Sequence, residues 1–174
     1  MRSRRAAASG SAFFLVIAPG VVAGVIPWLL TGWDVHGTSS WWMPVRALGI
    51  VLLVAGIAVL LLAFARFVGE GIGTPAPVAP TQHLVVGGLY RHVRNVMYLA
   101  VLATIVGQAL LLAQLSLLVY AALFLVVVAA FVRWYEEPTL LRQFGPEYER
   151  YRREVPGWWP RLHPATRAEE SAPN

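Results

Sequence analysis

Two polar segments of the chain carry residue types that bind charged ligands or transfer protons. The first, residues 69–96, ends in a cluster of polar side chains and glycines beside an apolar run. Its members are His83, Gly87, Gly88, Tyr90, Arg91, His92, Arg94 and Asn95. The second, residues 133–162, begins with the adjacent carboxylates Glu136 and Glu137 behind another apolar run. Imidazoles and carboxylates act as general acids and bases, and arginine forks bind carboxylates and phosphates, so both segments contain candidate site residues.

The first segment has two interpretations. Pro75, Pro77 and Pro80 favour extended backbone over helix, as in a linker. The polar cluster that follows lies at the start of a predicted helix, where free N–H groups and a partial positive charge suit a carboxylate or a phosphate. In the other interpretation, Arg91 and Arg94 only anchor the chain to lipid headgroups. Composition by itself leaves both open.

The glutamate pair of the second segment is expected to have positively charged partners. Glu136 and Glu137 come directly after an apolar run, where acidic side chains are poorly placed against an anionic membrane surface. Arg94 and Arg133 are the candidates for pairing with them.

A short helix is predicted after the glutamate pair. Tyr148, Tyr151 and Val155 share one face of it, with charged residues around them. Residues 156–160, which contain two prolines and two tryptophans, end this helix with a rigid aromatic patch. Trp158 and Trp159 either cover the site as part of a lid or rest in the membrane interface.

Four apolar runs must position these polar segments. The chain is 57% hydrophobic and 13% charged, whereas a soluble domain carries about 25% charged residues. A helix of roughly 20 apolar residues crosses a bilayer, and within lipid a helix satisfies its own backbone hydrogen bonds. The sequence therefore predicts an all-α integral membrane protein of about four transmembrane helices, the last two forming a tight hairpin. The runs are residues 12–30, 45–68, 97–113 and 115–131.

The arginines predict how the chain is oriented. Arg2, Arg4 and Arg5 precede the first run, the loop 31–44 contains no lysine or arginine, and further arginines surround the second loop and follow the fourth run. The positive-inside rule then predicts a multi-pass protein of the cell membrane with both termini cytoplasmic. A cleaved signal peptide is the alternative for the first run, but its length and the lack of a small-residue cleavage site favour an uncleaved anchor.

Composition also excludes several kinds of chemistry. The chain has no cysteine, which excludes disulfides, thiolate catalysis and cysteine-bound metals, and we expect no metal site. All 14 basic residues are arginine, so no lysine is present for a Schiff base or a phosphate-binding loop. These arginines flank apolar runs, which argues against nucleic-acid binding. The runs contain almost no central polar residue besides Gln108, which argues against a transporter.

The two polar segments resemble the paired signatures of a known superfamily. Residues 83–98, HLVVGGLYRHVRNVMY, resemble the loop signature of the isoprenylcysteine carboxyl methyltransferases and phospholipid methyltransferases. Residues 133–160 resemble the companion signature, a glutamate pair followed by L-x-x-x-F-G-x-E-Y-x-x-Y-x-x-x-V-P. The resemblance predicts a methyltransferase-like core over residues 73–162, between an N-terminal two-span region (1–72) and a disordered tail (163–174).

The resemblance implies an integral membrane methyltransferase that uses S-adenosylmethionine. Its partners would be membrane lipids and a lipophilic acceptor that enters from the bilayer, whereas oligomeric state stays open. Arg94 would hold the cofactor's carboxylate, and a glutamate its ammonium or ribose hydroxyls. Catalytic roles are implied for Arg133, Glu137 and His92, the last two as candidate general bases. The implied cofactor contacts are His83, Gly88, Tyr90, Arg94, Asn95, Tyr98, Glu136 and Glu137.

Val96 departs from the family, which usually has proline at this position. Proline there would start a helix without losing a hydrogen bond, so valine costs the fold little. An inactive membrane scaffold is one alternative to a methyltransferase, and Val96 is the one feature of the sequence that suggests it. The other alternative is a membrane reductase of the sterol type that uses a nicotinamide cofactor.

The sequence does not identify the methyl acceptor. A prenylated protein C-terminus, a phospholipid amine, a quinone-like phenol and a small hydrophobic acid all fit. In the second run, Gly49 and Gly56 would permit close helix contacts.

Overall fold

A computed structural model of the protein describes residues 17–36, 39–71 and 84–163, without the side chains of 67–71. Over these ranges the regular structure is helical and contains no strand, which confirms the predicted all-α class. Several residues named above lie outside the described residues. They are Arg2, Arg4, Arg5, Pro75, Pro77, Pro80, His83 and residues 164–174 of the predicted disordered tail.

Six helices are assigned within the described residues. They are α1 (Ile17–Thr31), α2 (Met43–Gly71), α3 (Val96–Leu112), α4 (Leu115–Phe131), α5 (Glu137–Phe144) and α6 (Pro146–Glu154). Two turns of π-helix interrupt this pattern, Val21–Val25 inside α1 and Val132–Glu136 between α4 and α5. Short 3-10 turns at Ser40–Trp42 and Gly88–Arg91 lead towards α2 and α3.

Two helical stretches are long and apolar enough to cross a membrane. The most apolar 18-residue window within Ser40–Arg66 has a mean hydropathy of 3.0, and that within Leu115–Phe144 has one of 2.8. The apolar part of the latter stretch is α4. Their outward faces are apolar as well, since Val54 is 62% exposed and Val126 is 67% exposed, as expected for helices in contact with lipid. The helices Ile17–Thr31 and Val96–Leu112 are shorter, about 25 Å for the latter, so the count of four crossings stays a prediction.

Helices α2 and α3 pack backbone against backbone at three glycines. A Cβ atom added to Gly56 would lie 2.7 Å from Thr104 Oγ1 and 2.9 Å from the Ala100 carbonyl oxygen. A Cβ on Gly107 would lie 2.6 Å from the Leu53 nitrogen, and one on Gly49 would lie 2.8 Å from the Gly107 carbonyl oxygen. Glycines of this kind let membrane helices approach closely where lipid supplies no hydrophobic driving force. The close contacts predicted for α2 are therefore made within the chain.

A proline explains the π-helical turn in α1 and the polar contacts around it. Pro27 has no N–H group, so the regular helical partner of the Ala23 carbonyl is missing. Gln108 of α3 donates its side-chain Nε2 to that carbonyl at 2.7 Å, and Tyr120 of α4 donates its hydroxyl to the Val22 carbonyl at 2.8 Å. The buried Gln108 thus joins α1 to the α3–α4 hairpin by satisfying a carbonyl that would otherwise be unpaired in an apolar environment.

The turn between α3 and α4 contacts the loop that follows α1. Ala113 takes a positive φ of 55° to end α3. The His36 backbone N–H donates to the Leu112 carbonyl at 2.9 Å, and the Trp42 indole donates to the Leu110 carbonyl at 3.0 Å. These donors cap the C-terminal carbonyls of α3. The arginine-free loop and the hairpin turn therefore lie together, at the end of α3 opposite to Asn95.

Candidate functional site

The polar segment before α3 is anchored by an apolar cluster. Tyr90, in the 3-10 turn, is 7% exposed and packs with Val93 and Val96 against Ala63 of α2. Gly88 has a φ of 58°, which favours glycine, and an added Cβ would lie 3.1 Å from Arg66 Nε. These contacts fix the backbone that leads into His92, Arg94 and Asn95. Gly88 and Tyr90, both predicted to contact the cofactor, thus take part in building the loop.

A second proline shapes the segment that carries the glutamates. Pro138 follows the π-helical turn Val132–Glu136, where the Glu137 N–H donates to the Val132 carbonyl five residues back. The wider turn changes the direction in which Glu136 and Glu137 face, and both contact α3 or the loop before it. Gly145, with φ 52° and ψ −124°, then turns the chain so that α6 returns towards α3.

Arg94 and Glu137 form the centre of a charged cluster. Arg94 Nη1 lies 2.8 Å from Glu137 Oε1, and the two side chains are only 13% and 11% exposed. The other carboxylate oxygen of Glu137 lies 3.6 Å from Arg152 Nη2 and 3.8 Å from Arg133 Nη1. Arg94 and Arg133 are the partners expected from the sequence. Arg152 was missed because its approach depends on the turn at Gly145.

Two further hydrogen bonds hold the Arg94 guanidinium. Nη1 donates to the Tyr148 hydroxyl oxygen at 3.0 Å, and Nε donates to the Val155 carbonyl at 3.0 Å. Burial raises the pKa of Tyr148, whose side chain therefore stays a neutral hydroxyl. Within the described chain, Nη2 donates to no protein atom, which leaves one edge of the fork open to a ligand.

Glu136 occupies a different environment from Glu137. Its Oε2 accepts a hydrogen bond of 2.9 Å from the Tyr98 hydroxyl. Among the described residues no arginine forms an ion pair with it, although its side chain is partly buried. A partly desolvated carboxylate with one hydrogen bond has acceptor capacity to spare for a positively charged or hydroxyl-bearing ligand.

The residues after α6 lie along the loop before α3 as an irregular segment, residues 155–161, here called the strap. The Arg94 and Asn95 N–H groups donate to the carbonyls of Pro156 at 3.0 Å and Gly157 at 3.2 Å. The Arg161 N–H donates to the His92 carbonyl at 3.1 Å. These bonds connect the two polar segments through their backbones.

His92 has its tautomer determined by the strap. Its Nδ1 lies 2.8 Å from the Arg161 carbonyl oxygen, which only accepts, so Nδ1 carries the proton. Nε2 of the neutral ring is then the basic nitrogen. The arrangement makes His92 chemically able to accept a proton from a bound molecule.

One buried polar atom of the site has no partner. Asn95 is 7% exposed, and its side-chain Nδ2 is buried and makes no hydrogen bond within the described chain. A buried donor without an acceptor is costly, and such atoms are uncommon in folded proteins. Gly157 of the strap lies beside this atom, since a Cβ added there would lie 3.5 Å from Asn95 Nδ2.

The structure therefore brings most of the sequence-predicted site residues together. His92, Arg94 and Asn95 bond to the strap, and Glu137 joins them through Arg94. Tyr98 and Glu136 form a separate hydrogen-bonded pair next to this cluster. Arg133 lies at the edge of the cluster, with 69% of its side chain exposed. The predicted short helix is confirmed as α6 for Tyr148 and Tyr151, whereas Val155 follows its end in an extended conformation. Tyr148 and Val155 are almost fully buried. Of the two tryptophans, Trp159 is 84% exposed.

This arrangement is that of a membrane protein with a charged site at one end of its helices. The sequence model of the phospholipid methyltransferase family matches residues 44–147, from the start of α2 into α6, and the chain belongs to that family. The family and the two long apolar stretches define a membrane methyltransferase, as the resemblance predicted. Neither the search of curated proteins nor that of solved structures gives a match.

Proposed function

We propose that the protein transfers a methyl group from S-adenosylmethionine to a lipophilic acceptor in the membrane. The observation that carries the proposal is the joining of the two polar segments at one end of the α3–α4 hairpin. Arg94 reaches Glu137 and Tyr98 reaches Glu136 across gaps of 43 and 38 residues. Acidic and basic side chains with unused hydrogen-bonding capacity thus lie side by side, as a zwitterionic amino-acid moiety would require.

The donor set fits the cofactor's polar groups. S-Adenosylmethionine has a carboxylate, an ammonium, ribose hydroxyls and an adenine, and it supplies a methyl group already activated by a positively charged sulfur. Arg94 would bind the carboxylate through its open Nη2, and Glu136 would bind the ammonium or the ribose hydroxyls. Glu137 has three arginines around it, so we assign it first to holding Arg94 and only second to proton transfer.

The remaining residues position the acceptor and handle its proton. His92 would take a proton through Nε2 where the acceptor is an amine or a hydroxyl, whereas a carboxylate acceptor needs no base. Arg133 would bring positive charge to the mouth of the site. The strap would help to exclude water, and alignment of the two reacting groups would supply most of the rate increase.

The proposed setting is a multi-pass protein of the cell membrane. We take α1, α2, α3 and α4 as the four crossings, with the charged site and both termini on the cytoplasmic side. The concentration of arginines at the end of the molecule that holds Arg94 supports this orientation. The acceptor would enter sideways from the bilayer between α3 and α4, where its apolar part stays in lipid.

The test is S-adenosylmethionine binding by the purified protein in lipid nanodiscs, measured by calorimetry with NADPH as the second ligand. We expect saturable binding of S-adenosylmethionine, a clear loss of affinity in Glu136→Gln and no binding of NADPH. Glu136→Gln keeps an oxygen for Tyr98 but removes the charge, so the variant should retain its melting temperature.

Tyr120→Phe is the matched control, because its hydroxyl contacts the Val22 carbonyl away from the site. Its affinity should equal that of the unmodified protein. Absence of S-adenosylmethionine binding in folded protein, or binding of NADPH in its place, would overturn the proposal.

A further inference from the structure

Gly157 is a glycine of the strap whose backbone does not require glycine. Its φ lies outside the positive range found at Gly88 and Gly145, so alanine suits its conformation. What glycine provides here is space. A Cβ at this position would lie 3.2 Å from Arg94 Nη2 and 3.5 Å from Asn95 Nδ2. The missing side chain of Gly157 therefore faces two nitrogen atoms of the site.

Neither of these nitrogens has an acceptor among the described residues. Arg94 Nη2 makes no hydrogen bond in the described chain, although Nε and Nη1 of the same guanidinium are fully used. Asn95 Nδ2 is buried and also has no partner among the described residues, in a residue that is more than nine-tenths buried. Two free N–H donors that converge on one point match the two oxygens of a carboxylate.

The charge around this point also favours an anion. Arg94, Arg133 and Arg152 all approach the single carboxylate of Glu137, at 2.8, 3.8 and 3.6 Å. Glu136 lies nearby but forms its hydrogen bond with Tyr98. The cluster thus has more positive than negative charge, and a second carboxylate beside Arg94 would be stabilised by this excess.

We propose that Gly157, Asn95 and Arg94 form a carboxylate cradle in which Gly157 is a specificity-determining residue, because its lack of a side chain leaves space for a carboxylate beside both donors. The inference rests on the proposed function, since the carboxylate is assigned to the amino-acid moiety of S-adenosylmethionine. The cradle selects ligands that carry this carboxylate over ligands that lack it.

The experiment compares S-adenosylmethionine with its decarboxylated analogue, which keeps the ammonium, the sulfonium and the adenosine. Affinities of both ligands are measured by calorimetry for the unmodified protein, Gly157→Ala and the isosteric Asn95→Asp. The unmodified protein should bind the decarboxylated ligand about tenfold or more weakly, as expected for loss of a charged hydrogen-bonded group. Both variants should lose about tenfold in affinity for S-adenosylmethionine and much less for the analogue.

The melting temperature of each variant is measured as well, so that a loss of affinity can be told apart from a loss of folded protein. Gly24→Ala serves as control, because a Cβ at Gly24 meets nothing within 4 Å, and it should leave both affinities unchanged. If the unmodified protein binds the two ligands equally, or if the variants weaken both equally, the cradle is refuted while the proposed function stands. If the folded protein binds neither ligand, the proposed function fails, and the cradle fails with it.

Discussion

Arg94 is the side chain that joins the most parts of the site. It contacts α5 through Glu137, α6 through Tyr148 and the strap through the Val155 carbonyl. The three groups come from parts of the chain that follow α4, whereas Arg94 precedes α3. The charge of this mostly buried arginine is balanced by a carboxylate, and two neutral oxygens also accept its hydrogen bonds. Removal of the arginine would leave these three buried acceptors without their partner.

Replacement of Arg94 by alanine should therefore destabilise the fold as well as the binding site. We expect a loss of about 2–4 kcal/mol, because a carboxylate only 11% exposed loses its closest partner. The measurement is thermal unfolding in nanodiscs, with Arg142→Ala as control. Arg142 is exposed, and among the described residues its side chain bonds only to Thr139 Oγ1, at 3.2 Å, so its replacement should change stability by less than about 0.5 kcal/mol. Equal effects of the two variants would show that the Arg94 cluster does not stabilise the fold.

The Tyr98 hydroxyl should affect ligand binding through the orientation of Glu136. Tyr98→Phe removes the hydrogen bond of 2.9 Å that orients Glu136. A hydrogen bond to a charged group contributes about 1.5–3 kcal/mol, so we expect the affinity for S-adenosylmethionine to fall by about tenfold or more. Calorimetry on Tyr98→Phe beside Tyr120→Phe makes the comparison. An unchanged affinity in Tyr98→Phe would remove Glu136 from the proposed cofactor contacts.

At the scale of the helices, two prolines have matching consequences. Pro27 and Pro138 each lie two residues after a π-helical turn, Val21–Val25 and Val132–Glu136. In both places the proline cannot donate to the carbonyl four residues back, and the helix adopts the wider turn just before it. The first turn supplies carbonyls to Gln108 and Tyr120, and the second orients the glutamate pair.

Close packing of α2 on α3 predicts strong sensitivity at Gly56. Gly56→Ala would bring its Cβ to 2.7 Å from Thr104 Oγ1 and 2.9 Å from a backbone carbonyl, so the helices must separate. We expect a loss of about 1–3 kcal/mol in the free energy of unfolding, the range typical of overpacking. Thermal unfolding of Gly24→Ala is the control, since its Cβ has open space. Equal melting temperatures for the two variants would contradict the close approach.

For the whole molecule, the absence of cysteine allows a direct test of orientation. Ser39→Cys places a thiol in the arginine-free loop, and Glu149→Cys places one on α6 at the opposite end; both positions are exposed. With a membrane-impermeant maleimide on intact cells, we expect labelling of Ser39→Cys and not of Glu149→Cys. Inverted membrane vesicles should give the reverse pattern. Labelling of both from one side would contradict the proposed crossings, and a reversed pattern would contradict the proposed orientation.

The sequence alone indicated the apolar helices and most of the polar residues that the structure brings together. Hydropathy depends on neighbouring residues only, so it can be read from the sequence. Both ends of α3 and of α4 lie within one residue of the ends predicted for these helices. Helix α2, in contrast, continues beyond its predicted end. The motifs around Arg94 and the glutamate pair indicated the family that the match over residues 44–147 confirms. Their roles in binding and catalysis stay predictions, and His83 lies outside the described residues.

Only the tertiary structure decided how these residues pair. The sequence left open which glutamate meets Arg94, because pairing across 43 residues depends on the π-helical turn, on the Gly145 turn and on the packing of α3. Arg152 and Gly157 were not recognised for the same reason, since neither is near Arg94 in the sequence. Local patterns specify helices through backbone hydrogen bonds and apolar faces, whereas contacts between side chains of distant segments require the packed fold.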